Sequence, residues 1–516
     1  MKLKQIQSIA IFLAFSGGLV AAPDSTELFY KEHPGQMVWI VDGKWNTCAQ
    51  ALMDQLNHVD EEGLDPQDYA PKLAELKAIS LSDSTQQMKA DEILTSLTLN
   101  YISDMKGERL NPRKVDKDLY IKPVEVSEVQ LLQGYLANPG SCAWIANLAP
   151  MHKDYQDLKD LLAQYRKIQE AGGWPQLSKG KDKLERGAQG DAVQILRQQL
   201  VAQGSLDAAH QSGTVFDEGL DAALKSYQET HGLEPDGKVG PATLEALNTP
   251  VEKRIAQIIV SLERERWLPQ DLGPRYVLVN IAGFELDAVN DRKLAFTMPV
   301  ITGQAYRQTP SFYSQISEII LNPSWHVPYN IAVKDKLPKL QKNPNAFSGK
   351  GYNFYDSAGN SVSPSAVNWG AYSAGNFPYK IVQNPGSANA LGRIRFTVDY
   401  ESLKLPNLSV YLHGTPDQGL FSKSQRSFSS GCIRVEDPVK LATFIFDDPA
   451  TWSPEKIRAE TSNTKTDRVK LKNPIPVYIT YYTVWKDPQG RPHFVKDIYG
   501  QDKQVWDALQ RRRKNQ

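Results

Sequence analysis

Apolar positions keep a helical period over three successive stretches of the chain and then change to a shorter one. Between residues 23 and 175 they recur at helical spacing, with Ala51, Leu52, Met53 and Leu56 in one set and Ile93, Leu94, Leu97, Tyr101 and Ile102 in another. The stretch Gly63-Leu64-Asp65-Pro66-Gln67-Asp68-Tyr69 between them reads as a helix–turn–helix connection, Asp65 capping a Pro-initiated turn. From 184 to 248 three short helices are expected. Val193, Leu196 and Leu200 mark the first, Leu220, Ala223, Leu224 and Tyr227 the second, and Leu244 and Leu247 the third. Glycines punctuate the turns, and Pro241 stands at a first helical position. A helical linker follows at 251–275, with Ile255, Ile258, Ile259 and Leu262 in register. From Tyr276 onward the period shortens to two. Tyr276–Ile281, Thr297–Ile301, Ile316–Leu321 and Val477–Tyr482 read as strands. The long insert between His326 and Gln383 is rich in Lys, Asn, Gly and Ser, the mark of a functional or mobile loop.

A chain of 516 residues is too long for one core, so several domains are expected. The 59 basic and 59 acidic residues cancel, which gives no reason to expect nucleic acid as a partner. The basic run Arg511-Arg512-Arg513-Lys514 reads as a solvated terminus, the alternative being attraction to an anionic membrane or polymer. Residues 1–22 read as a signal peptide. Lys2 and Lys4 precede an apolar run from Ile6 to Val20, and the small residues Ala21 and Ala22 offer a cleavage point. Pro23 disfavours cutting after Ala22, so the Ala21–Ala22 bond is the expected site, with an uncleaved anchor as the alternative. Export bears on the cysteines. An oxidising compartment allows Cys48 and Cys142 to pair, although two separate buried thiols fit the sequence as well. Pairing would leave Cys432 as the odd thiol.

Candidate chemistry concentrates in Tyr411-Leu412-His413-Gly414-Thr415 and Ser427-Phe428-Ser429-Ser430-Gly431-Cys432-Ile433-Arg434. Leu408–Leu412 alternates like a strand, which puts His413 where a strand opens into a loop and Tyr411 on the face of His413. The polar stretch that follows folds back and presents Cys432 ahead of a helical run at 437–446. An imidazole beside a thiol can take its proton and hold the resulting ion pair. The N–H groups of Gly431 and Cys432 offer an oxyanion site. Arg434 can lower the thiol pKa, hold a carboxylate, or simply anchor the loop through a salt bridge. Ser429 and Ser430 either line the cleft or brace the loop. Metal-ligand spacing is missing, and so are nucleotide, flavin and pyridoxal fingerprints, so neither a metal nor a cofactor is expected.

The string His-Gly-Thr … Ser-Ser-Gly-Cys-Ile-Arg resembles the active-site signature of the L,D-transpeptidases, cell-wall enzymes with a cysteine nucleophile; Ser429, Gly431, Cys432 and Arg434 match it. Further pieces are similar: Val300-Ile301-Thr302-Gly303, Arg307-Gln308-Thr309-Pro310, Asn322-Pro323-Ser324-Trp325-His326-Val327-Pro328, and Asn384-Pro385-Gly386 with Asn389-Ala390-Leu391-Gly392. Residues 184–248 resemble a three-helix peptidoglycan-binding module, and the order of parts resembles the large periplasmic branch of the family in Gram-negative bacteria.

The resemblance implies a multidomain α+β protein. Its plan is a helical scaffold at 23–175 completed by the linker 251–270, the binding module at 184–248, a β-rich catalytic domain at 276–485, and a C-terminal extension at 486–516. It also implies a lid at about 330–380 over the substrate cleft, with Tyr329, Tyr352, Phe354, Tyr355 and Trp369 as its aromatic contacts. The implied roles are Cys432 as nucleophile, His413 as base and proton donor, and Gly431, Gly414 and Arg434 as oxyanion or supporting residues. Tyr411, Ser429 and Ser430 would lie in the cleft, and the Gly414 carbonyl would orient the histidine. The implied partners are tetrapeptide stems as donor and acceptor, joined by 3→3 cross-links in the periplasm; loose inner-membrane association and other wall synthases stay open. Sensitivity to carbapenems is also implied. An L,D-carboxypeptidase, a lipoprotein-anchoring enzyme, or a non-catalytic wall-binding scaffold are the alternatives.

Overall fold

The computed structural model describes residues 25–121, 127–137, 141–178, 184–400 and 409–515; the expected signal peptide lies outside them. Among the described residues no helix is long and apolar enough to cross a membrane. The chain divides into two compact units, and the first is assembled from residues up to 57, 69–103 and 126–145. It is helical, with Ser25–Glu32, Thr47–Asn57, Ala70–Ala78 and most of Ser84–Met105. Its polar centre is Asp91, fully buried, which accepts from Tyr30 Oη–H (2.6 Å) and from the N–H groups of Val38 (3.0 Å) and Trp39 (2.8 Å). Three donors offset the cost of burying this carboxylate. Cys48 and Cys142 form a disulfide within the unit, which resolves the choice the sequence left open.

The second unit contains 58–68, 104–125 and everything from 146 onward. The helical region at 23–175 is therefore shared between two bodies, a division that helical periodicity does not reveal. Within this unit the helix Val251–Trp267 lies along Lys153–Glu170. The sequence reads it as a helix with one apolar face, yet Arg254, Glu263, Arg264, Glu265 and Arg266 are buried too. Each finds a partner. Arg264 meets Asp502 (2.5 Å), Arg266 meets Glu263 (3.3 Å) and the Tyr155 hydroxyl (2.8 Å), and Glu265 meets His152 (3.0 Å). Pairing is what makes burial of so many charges tolerable.

The three helices expected between 184 and 248 are present as Asp191–Ala202, Glu218–Thr230 and Pro241–Leu247, around Val193, Leu196, Leu200, Leu220, Leu224, Tyr227 and Leu247. Asp217 caps the second, accepting from the Leu220 N–H (2.8 Å).

The β-rich region builds one large sheet. Its strand order is Ser427–Ser429, Lys293–Gly303, Ile433–Val435, Leu412–His413, Ile394–Val398, Phe312–Leu321, Asp467–Thr480, Tyr276–Asn280, Glu285–Asn290. The last strand pairs back onto Lys293–Gly303, so the sheet closes on itself. Its core is Val277, Val279, Phe312, Ile316, Ile319, Phe396, Leu412 and Ile433, with Leu441, Ala442 and Ile445 from the helix Pro438–Phe446 packed on it. Alternation at Ile394, Phe396 and Val398 sends those side chains inward and leaves Arg395 on the opposite face.

Of the strand expected at 408–412, residue 408 lies outside the described residues, and among 409–415 only Leu412–His413 is strand. These two residues alone have partners on both sides, Ile394–Val398 and Ile433–Val435. The insert after His326 carries its own core: Leu337, Leu340, Phe347, Phe354, Trp369, Phe377 and Ile381. Phe354 and Trp369, expected to face substrate, are each 2 % exposed and belong to that core. Tyr352 is tied down by Lys336, whose ammonium donates to its hydroxyl (2.8 Å) and sits over Trp325, Phe347 and Tyr352.

Candidate active site

The polypeptide places His413 on one strand and Cys432 immediately before the neighbouring one. Leu412–His413 runs parallel to Ile433–Val435, with Leu412 opposite Ile433 and His413 opposite Arg434. Cys432 therefore stands level with Tyr411, one strand away and two residues short of His413. Strand spacing and rise put that diagonal at about 8 Å between backbones, within reach of two side chains. Tyr411 joins the pair: its ring centroid lies 5.6 Å from that of His413. Hydrogen bonding from its N–H and its phenol favours the Cys432 thiolate.

The turn after His413 is tightly built. Gly392 has φ +64°, and a Cβ there would stand 2.6 Å from the Gly414 carbonyl carbon. Only glycine lets the two backbones approach. Asn389, fully buried, donates to the carbonyls of Pro323, Gln383 and Asn384 and so locks the loop before it. His413 is 5 % exposed, and its Nδ1 lies 2.5 Å from the Gly414 carbonyl. A carbonyl can only accept, so Nδ1 carries the proton and Nε2 keeps its lone pair.

Electrostatics set the resting protonation. Burial first, then the Arg434 and Arg395 cations, hold His413 down to about 3, against the pull of the Gly414 and Leu391 carbonyls. Burial also raises the Cys432 thiol. The Tyr411 N–H, Arg395, the Tyr411 phenol and Arg434 work the other way and do not overcome it. The resting pair is a thiol and a neutral imidazole, not the ion pair expected from the motif. In keeping, Sγ–H faces the Ser409 carbonyl at 3.7 Å.

The Gly431 N–H, expected as an oxyanion donor, is already engaged: it donates to Ser429 Oγ (3.1 Å). The same hydroxyl donates to the Cys432 carbonyl (2.5 Å), and Ser429 is 2 % exposed. Ser429 thus braces the loop and does not line the cleft. The Cys432 N–H has no acceptor among the described residues, so it can donate to a ligand. Ser430 is exposed and accepts from Arg307 (2.9 Å), which also grips Asp335 of the insert through two hydrogen bonds (2.6 and 2.8 Å). Arg434 pairs with Asp417 (3.3 Å), the anchoring role, while its charge still bears on Cys432 and His413.

Arg395 escaped the motif reading. It lies opposite His413 in the sheet and stacks over Tyr411 (4.1 Å), with no ion pair among the described residues. The available signal was a cation in an otherwise apolar alternation. A cavity of about 270 Å³ opens beside Gly414, lined by Arg393, Thr415, Gln418 and Pro438; Cys432 and Tyr411 do not border it, so it is separate from the thiol. Among the described residues no group of three or more His, Cys, Asp or Glu is placed to hold a metal ion.

Comparison with known proteins bears on this geometry. Residues 274–457 match a family model described as "L,D-transpeptidase catalytic domain". Residues 189–247 match "Putative peptidoglycan binding domain" and 24–162 match "Scaffold domain". A Haemophilus influenzae protein named "Putative L,D-transpeptidase" is 32% identical over 241 residues, which are 46% of this chain and 47% of that one. The chain thus spans about half the length of the curated relative it matches. A solved L,D-transpeptidase structure from Xylanimonas cellulosilytica shares 13% identity, covering 59% of this chain and 100% of that one, with a TM-score of 0.16. One from Stackebrandtia nassauensis shares 14%, covering 59% and 96%, with a TM-score of 0.23.

Proposed function

Starting from a chain that carries a scaffold domain, a peptidoglycan-binding domain and an L,D-transpeptidase catalytic domain, we propose that it joins peptidoglycan stem peptides by 3→3 cross-links, through a thioester on Cys432. The observation that carries the reading is the His413 tautomer: with Nδ1 donating to Gly414, Nε2 keeps its lone pair on the strand beside the one that follows the thiol.

The protonation states favour coupled proton transfer. Because the thiol is raised and the imidazole depressed, Nε2 takes the proton as the sulfur bonds to the donor carbonyl of the third stem residue. The Cys432 N–H holds the resulting oxyanion. Collapse expels the terminal D-alanine amine, which leaves with the proton from Nε2. An acceptor amine then attacks the thioester and gives its proton to Nε2, and the departing sulfur recovers it. A thioester keeps the acyl group activated without a nucleotide, as chemistry in the periplasm requires.

The test mixes the full chain, or its Cys432→Ala variant, with disaccharide-tetrapeptide and weighs the products. A dimer lighter by one alanine, missing with the variant, is expected. Tripeptide alone would move the assignment to an L,D-carboxypeptidase. Inert protein that still binds wall sacculi would move it to a non-catalytic scaffold.

A further inference from the structure

We propose that Tyr499, beyond the span matched to the catalytic family, is a positioning residue that aims the Cys432 N–H at the oxyanion. The inference rests on Cys432 being the nucleophile of an acyl transfer.

A peptide unit is planar and trans, so the direction of the Cys432 N–H is fixed by the Gly431 carbonyl on the other side of the same plane. Ser429 holds the planes before and after this one, through the Gly431 N–H and the Cys432 carbonyl. It does not touch the plane between. Gly431 has φ +116°, a conformation reached by glycine and disfavoured for other residues, so its own backbone constrains that plane weakly. The constraint comes from outside: Thr309 Oγ1–H donates to the Gly431 carbonyl (2.8 Å).

Thr309 is fully buried, and its hydroxyl cannot swing away. It accepts from the Gly303 N–H (2.8 Å), so its own hydrogen must point to Gly431. The backbone at both ends of the 303–309 turn is then tied by one phenol. Tyr499 Oη–H donates to the Gly303 carbonyl (2.6 Å) and accepts from the Thr309 N–H (3.2 Å). Tyr499 is itself fixed, its N–H donating to the Tyr481 hydroxyl (3.0 Å), which donates to Asp497 (2.6 Å). A buried hydrogen-bond chain thus runs from residues after the sheet to the peptide plane of the nucleophile, and buried chains of this kind specify geometry.

Two probes separate aiming from general integrity. Alkylation of Cys432 by iodoacetamide forms no oxyanion, whereas acylation by p-nitrophenyl acetate passes through one. Both rates are measured by intact mass on the full chain. In Tyr499→Phe and Thr309→Val we expect alkylation within twofold of wild type and acylation at least tenfold slower. Removing an oxyanion donor outright costs roughly a hundredfold or more, which bounds the effect of misaiming it. Thr309→Ser, which keeps the hydroxyl, should stay within twofold on both. The double variant Tyr499→Phe/Thr309→Val should be no slower than the worse single one, because both act on one plane. Equal losses in both rates, or no loss in acylation, would overturn the proposal. A wild-type thiol that alkylates but is never acylated would overturn the acyl-transfer reading and this one with it, an outcome distinct from a variant-specific failure.

Discussion

Replacing Tyr411 by Phe isolates one contribution to the thiol. The ring remains, and with it the stacking of Arg395 and the contact with His413; the backbone N–H to sulfur and both arginines also remain. Only the phenolic O–H is lost. Hydrogen bonds to charged groups contribute about 1.5–3 kcal/mol net. Lost from the thiolate, that corresponds to a roughly ten- to hundredfold higher proton affinity of Cys432. The thiolate fraction at neutral pH falls by the same factor, but each thiolate becomes more nucleophilic with a Brønsted slope near 0.4–0.5. The two effects offset in part. At pH 7–8 iodoacetamide should react roughly three- to tenfold more slowly with the variant, and above the thiol pKa it should react faster by a similar factor. Crossing pH–rate profiles are therefore the expected result, read by intact mass between pH 6 and 11. Profiles that superimpose, or that shift without crossing, would refute the argument.

Two further outcomes follow from the electrostatics and the covalent tie. His413 is held neutral, down to about 3, so lowering the pH through its unfolded value of 6.5 lets the unfolded chain bind a proton that the folded chain refuses. Stability from this group is present above 6.5 and is lost below it. Urea titrations should show His413→Gln losing about 2 kcal/mol less than wild type between pH 7.5 and pH 5, and equal losses would count against the buried neutral imidazole. The Cys48–Cys142 disulfide spans 94 residues, so Cys48→Ser should weaken its unit by about 2–4 kcal/mol, seen as faster limited proteolysis within 25–57 and 127–145; unchanged cutting would argue against the tie.

Local chemistry was legible in the sequence and long-range assembly was not. Gly392, Gly414 and Gly431 stand where backbone must pass close or adopt unusual φ, so the loops at 389–392, 411–415 and 429–434 carry their geometry in their residue types. The three helices of 184–248 follow from apolar spacing because their core is formed almost wholly by that segment. Arg395 becomes relevant only through its register with His413, and Thr309, though it stands in a stretch similar to the family, takes its role only through a carbonyl more than a hundred residues away. The same holds for Phe354 and Trp369: aromatic character says that a residue will be buried, not whether protein or ligand will cover it. The ion pair expected from a Cys/His motif fails for a related reason, since the depth of burial and the two flanking arginines are products of the whole fold.

The ion pair between Arg512 and Asp104 (2.7 Å) has a temporal side. Asp104 lies at the end of the helix Ser84–Met105, yet its partner is synthesised 408 residues later. At ribosomal speeds of about 5–20 residues per second, roughly 20–80 s separate the two. Throughout that interval Asp104 lacks this cation, and the groove later filled by Val505 and Leu509 against Val260 and Trp267 stands open. The unit that holds Cys432 is thus closed by the last helix of the described chain, and any nascent chain released before that helix emerges exposes an apolar seam to whatever holdase meets it first.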